Sequence, residues 1–110
     1  MPLARSKLEK QIVAEIRQAV QREYPGAYTV KIHGSSYQPA GLPDIHVVIP
    51  QLGGRAVWIE AKRPGLSPTK LQAATIERLR AAGAIAFVAH SAAEAIKALD
   101  EARRREYDRP

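Results

Sequence analysis

Asp44, Glu60 and Lys62 interrupt two apolar runs in "GLPDIHVVIPQLGGRAVWIEAK", residues 41 to 62, at places where core residues are expected. Two nearby carboxylates in a partly buried place repel, and each has its pKa raised unless a cation compensates. One lysine does not balance both. A hard divalent ion such as Mg²⁺ or Mn²⁺ does, because it takes carboxylate oxygens, keeps some of its waters and reaches phosphate oxygens. Such an ion stabilises charge on a phosphodiester and acidifies water, and a lysine beside it can orient or help deprotonate that water. The plainer use of the same residues is a salt-bridged strand pair, Lys62 with Asp44 or Glu60, that caps the sheet edge.

These side chains meet only if two strands carry them in one register. "DIHVVI" and "AVWIEAK" read as an antiparallel hairpin across "PQLGGR", where glycines supply the turn. Strand alternation puts Trp58, Glu60 and Lys62 on one face and Val57, Ile59 and Ala61 on the other; likewise Asp44, His46 and Val48 oppose Ile45, Val47 and Ile49. Burying both apolar triplets on one face requires an odd loop, which sets residue 44 opposite 62 or 60. A three-residue loop, Leu52-Gly53-Gly54, predicts Asp44 across from Lys62.

The flanking segments are read from periodicity and punctuation. "SKLEKQIVAEIRQAVQREY" has helical spacing at Leu8, Ile12, Ile16, Ala19 and Val20 and ends before Pro25-Gly26, and "AYTVKIH" reads as a strand. After "RPGL", Ser67 is the expected N-cap with Pro68 at the first helical position, and "TKLQAATIERLRAA" runs to a stop at Gly83. "AIAFVAH" is expected to be a strand buried on both faces, central or parallel, and "SAAE" a capping box opening a last helix that fades into "EARRREYDRP". The order is helix, three strands, helix, strand, helix: an α/β (α+β) mixed sheet with helices on both faces.

At 110 residues the chain is expected to be a single domain over 1–110, burying roughly two thirds of its unfolded surface. It has no cysteine, which excludes disulfides and thiolate zinc sites, and its three histidines, His33, His46 and His90, are too scattered for a helix-borne metal pair. "MPLARSKLEKQ" lacks the apolar core of a signal peptide, and no stretch nears the roughly eighteen apolar residues of a membrane span, so a cytoplasmic protein is expected. The formal charge of +6 favours an anionic partner, nucleic acid above all.

"PD" at 43–44 followed by "EAK" at 60–62 on the next strand resembles the PD-(D/E)xK nuclease superfamily. The longer pattern, "GLPDIHVVI" then "VWIEAKRPGLSPTKLQAATIERLRAAGAIAFVAHSAAEA", is similar to the VRR-NUC domain in its small stand-alone form, over Glu9 to about Ala95. The resemblance implies a restriction-endonuclease-like αβββαβ core with an extra C-terminal helix, and Mg²⁺- or Mn²⁺-dependent cleavage of DNA. Asp44 and Glu60 would be metal ligands and Lys62 the water-orienting residue. It also implies a glutamate on the first helix and a glutamine on the helix after the catalytic strand. Gln72 fits the latter, beside Ile76 and Leu79. For the former Glu9 is preferred over Glu15, because Glu9 ends an apolar stripe through Val13, Ile16 and Val20 and precedes Gln11-Ile12. Small members of the family act as homodimers on branched DNA, which makes Holliday-junction-like substrates and a C2 dimer the expectation here.

Among the polar residues around this constellation, Arg63 and Lys70 are the expected phosphate contacts, with Ser36 in the loop "HGSSYQPAG" a further candidate; Arg78, Arg80 and Arg103 to Arg105 solvate helix faces. His46 is expected to pack beside the acidic face and Trp58 to lie under a helix. Two other functions compete: a noncatalytic nucleic-acid-binding module that keeps the fold, and a hydrolase of small phosphoesters, against which the lack of a glycine-rich phosphate loop argues.

Overall fold

The computed structural model describes residues 2–33 and 40–107. Its elements are α1 (Pro2–Glu23), β1 (Tyr28–Lys31), β2 (Ile45–Val48), β3 (Ala56–Ala61), α2 (Lys70–Ala81), β4 (Ile85–Ala89) and α3 (Ala92–Tyr107). The strands form one sheet in the order β1-β2-β3-β4, antiparallel except for the parallel β3–β4 pair. This is the mixed α/β architecture expected from the sequence. Helices α1 and α3 cover one face, where Val13, Ile16, Val20, Leu99 and Ala102 pack with Ile45, Val47, Val57 and Ile59. Helix α2 packs on β4 and reaches Glu60 from the other face. No helix among the described residues is long and apolar enough to cross a membrane.

The hairpin keeps the expected parity but not the expected pairing. Ile45 pairs with Ile59 and Val48 with Ala56, so residue 44 falls opposite residue 60 rather than 62. The reason is Leu52. Its side chain is only 2 % exposed and belongs to the core, so it is drawn out of any tight turn. Residues 49–55 together make the connection, through a 3₁₀ turn at Pro50–Leu52 followed by Gly53 and Gly54 at φ +67° and +75°. That longer connection is still odd in length, so Ile45, Val47, Val57 and Ile59 share the buried face.

Two further boundaries differ from the sequence reading, and the parallel strand takes an edge rather than a central place. Helix α2 is capped by Thr69, not Ser67. With Ser67 as cap, the third helical residue would be Lys70, which has no acceptor to return. With Thr69 it is Gln72, and a reciprocal capping box forms: Gln72 N–H donates to Thr69 Oγ1 (3.1 Å) and Thr69 N–H donates to Gln72 Oε1 (2.9 Å). Strand β4 is parallel but lies at the edge of the sheet, where Arg80 Nε donates to the carbonyl of Ala86 at 2.7 Å and blunts the open side. The last helix does not fade at "EARRREY" but runs through Tyr107, because Ala102 is buried and Glu106 is ion-paired with Arg55 ahead of β3.

The stop of α2 holds, and the cap of α3 holds in part. Gly83, at φ +101°, follows Ala82, the C-cap of α2, and the N–H groups of Gly83 and Ala84 donate to the carbonyls of Arg80 and Leu79 in a Schellman arrangement. At α3 Ser91 Oγ accepts from Glu94 N–H, while the Glu94 carboxylate turns to His90 instead of closing the box on Ser91.

Candidate active site

The sheet positions its polar residues at the C-terminal end of β3. A pocket of about 240 Å³ there is lined by Glu9, Lys10, Val13, Lys31, Asp44, Glu60, Ala61, Lys62 and Gln72. Helix α1 brings Glu9 and Lys10 from one face of the sheet and α2 brings Gln72 from the other. The β2–β3 register, continued one residue past its end, sets Asp44 opposite Glu60, and the Asp44 carboxylate acts on the Glu60 carboxyl. Glu60 is 1 % exposed.

Each side chain is held by identifiable partners. Asp44 Oδ2 accepts from the N–H of Ala61 at 3.0 Å. Glu60 Oε2 accepts from Gln72 Nε2 at 3.0 Å and lies 3.5 Å from Lys62 Nζ. The capping box orients Gln72: Thr69 N–H meets only the amide oxygen, which leaves Nε2 directed at Glu60. Glu60 Oε1 is buried and has no hydrogen-bond partner among the described residues.

Burial is the main cause of the Glu60 carboxyl being pushed up to about 7, with the Asp44 carboxylate next; Lys62 opposes both. Burial also raises Asp44, against the Ala61 N–H and Lys62. Without an ion, the pair therefore holds a proton near neutral pH. An acceptor-only donor set with one orphaned buried oxygen fits a hard divalent cation. Asp44 and Glu60 would hold it, with Glu9 on the pocket wall. Among the described residues no three His, Cys, Asp or Glu side chains converge into a ready-made cage, so waters would complete the shell.

Of the residues singled out from sequence, Glu9, Asp44, Glu60, Lys62 and Gln72 come together in this one pocket. Glu15 is exposed to solvent. Arg63 and Lys70 do not line the pocket: Arg63 is half-buried on the loop after β3, with an unpartnered buried Nε, and Lys70 is exposed at the start of α2. Ser36 lies outside the described residues. His46 stacks on Trp58, ring centroids 4.3 Å apart, and its Nδ1–H donates to the Val57 carbonyl, so it packs beside the site rather than in it. Lys10 and Lys31 line the pocket but were not singled out; the available signals were the position of Lys10 beside Glu9 and the charge that ends the strand "YTVK". A larger cleft of about 580 Å³ lies at the opposite end of β3 and β4, yet its Arg55 and Arg80 are tied to Glu106, Glu77 and backbone carbonyls.

The four-stranded sheet with this helix arrangement is the VRR-NUC domain fold. A solved "VRR_NUC domain" matches with TM-score 0.64 at 24% identity, covering 84% of this chain and 95% of that one. A "VRR_NUC domain protein" matches with TM-score 0.67 at 19% identity, covering 86% of each. No family model and no curated protein matches the sequence.

Proposed function

We propose that this chain is a divalent-metal-dependent endonuclease that hydrolyses phosphodiester bonds of DNA, acting on branched substrates as a homodimer. The observation that carries the reading is the Asp44–Glu60 pair: two facing carboxylates, one almost wholly buried with an orphaned oxygen, beside a lysine at an open pocket. The likeness to VRR-NUC folds supports the same chemistry.

Mg²⁺ or Mn²⁺ bound there would supply positive charge to the phosphodiester oxygens and acidify the attacking water. Asp44, fixed by the Ala61 N–H, and Glu60, fixed by Gln72, would hold the ion, with Glu9 reaching it directly or through water. Lys62, 3.5 Å from Glu60, would orient the water and take part in its deprotonation. Arg63 and Lys70 flank this end of the sheet as phosphate contacts. A protomer of this size has little surface for reading a long sequence, which favours recognition of DNA shape, and paired cuts in a junction need the two sites of a C2 dimer.

The test is incubation of the protein with four-way junctions, flaps and linear duplex in Mg²⁺, Mn²⁺ or EDTA, beside Lys62→Ala. Metal-dependent cutting of branched DNA that the variant loses is the expected result. Binding without cleavage in any metal would replace the enzyme with a noncatalytic nucleic-acid-binding module.

A further inference from the structure

Two ammonium groups in the pocket have no part in the chemistry above. We propose that Lys10 and Lys31 form a phosphate-gripping wall, contacting the backbone phosphates next to the scissile one on the same DNA strand. The inference rests on the nuclease reading and extends it to how the strand is held.

The placement follows from the seam between α1 and β1. Arg17 donates from Nε to Thr29 Oγ1 at 3.1 Å and from its guanidinium to the Thr29 carbonyl at 3.2 Å, and Gln21 Nε2 approaches the same hydroxyl. Lys10 lies two turns before Arg17 on that side of the helix, and Lys31 lies two residues beyond Thr29 on the same face of the strand. In the register of the sheet Thr29 pairs with Val47 and Lys31 with Ile45, so the seam advances toward Asp44. Where it reaches the pocket, its residues become two lysines.

Charge and partnering separate these lysines from Lys62. Lys62 is paired with Glu60, Glu60 also accepts from Gln72, and Asp44 accepts from the Ala61 N–H. Among the described residues the side chain of neither Lys10 nor Lys31 makes a hydrogen bond or ion pair. The described lining holds three carboxylates, Glu9, Asp44 and Glu60, against three ammonium groups, Lys10, Lys31 and Lys62. A dication on the carboxylates tips that balance to two positive charges in excess. A substrate with several phosphates in a row takes up such an excess; the scissile phosphate meets the ion and its neighbours meet the lysine wall.

The experiment is equilibrium binding of a labelled four-way junction across a salt series, with Ca²⁺ replacing Mg²⁺, and cleavage in Mg²⁺ followed separately. Each phosphate contact contributes about 0.9 to the slope of log affinity against log salt on duplex DNA. Lys10→Ala and Lys31→Ala are each expected to lower the slope by about that amount and to weaken binding roughly five- to tenfold at 0.1 M salt. The double variant should lose both increments. Lys31→Arg should retain the wild-type slope, as should Lys97→Ala on the exposed side of α3. If the alanine variants keep the wild-type slope while the wild type cuts junctions, the lysine wall is wrong and the nuclease reading stands. A wild type that binds no DNA overturns both, and an arginine variant as weak as alanine overturns a role through charge.

Discussion

Glu60→Gln is expected to stabilise the protein in the absence of a metal ion while abolishing the proposed nuclease activity. The side-chain amide keeps an oxygen for Gln72 Nε2 and removes a charge that is 1 % exposed and faces Asp44. Below about pH 4.5 Glu60 is protonated in both the folded and the unfolded chain, so wild type and variant should be equally stable. As pH rises, the unfolded chain releases this proton near 4.5 while the folded chain holds it up to about 7. Unfolding is favoured progressively over that window, and above it the cost of the buried charge is complete, about 3 kcal/mol. In EDTA at pH 8 the variant should therefore melt roughly 13 °C above wild type, an advantage that vanishes near pH 4. A divalent ion at a hundredfold its Kd should return about 2.7 kcal/mol to the wild type and nothing to the variant. Calorimetry or thermal denaturation in EDTA and in Mg²⁺, at pH 4, 6 and 8, reads all of this. An advantage that is absent at pH 8, or equal at every pH, would refute the view of Glu60 as a strained carboxylate awaiting a cation.

Gln72→Ala removes half of the capping box and the donor to Glu60, and is expected to cost about 1 kcal/mol in denaturant unfolding as well as most of the proposed nuclease activity. Gln72→Glu keeps the capping acceptor but adds another carboxylate beside Glu60; it should preserve the helix by circular dichroism and lower stability to denaturant in EDTA near neutral pH. Gly41→Ala places a Cβ 2.8 Å from Leu71 Cγ and 3.2 Å from the Leu71 carbonyl, at a φ of +86°, so a loss of about 1–3 kcal/mol on chemical denaturation is expected, with α2 displaced.

Much of this molecule follows from local pattern. The apolar triplets of β2 and β3 demand one buried face, which alone forces Asp44 and Glu60 onto the same side of the sheet. The stripe through Val13, Ile16 and Val20 orients α1 and carries Glu9 to the end of the core. What local pattern misjudged was decided by side chains competing for partners at a distance. Burial of Leu52 among residues of α1, α3 and the sheet lengthened the hairpin connection, shifting the residue opposite Asp44 from Lys62 to Glu60. Gln72 could serve both Thr69 and Glu60 only with the helix starting two residues later than "SP" indicates. The order of residues thus determined which charges share a face, because alternation is a property of the strand itself. Which of them touch, and that Lys10 and Lys31 join them, was settled only when helices from opposite faces closed on one end of the sheet.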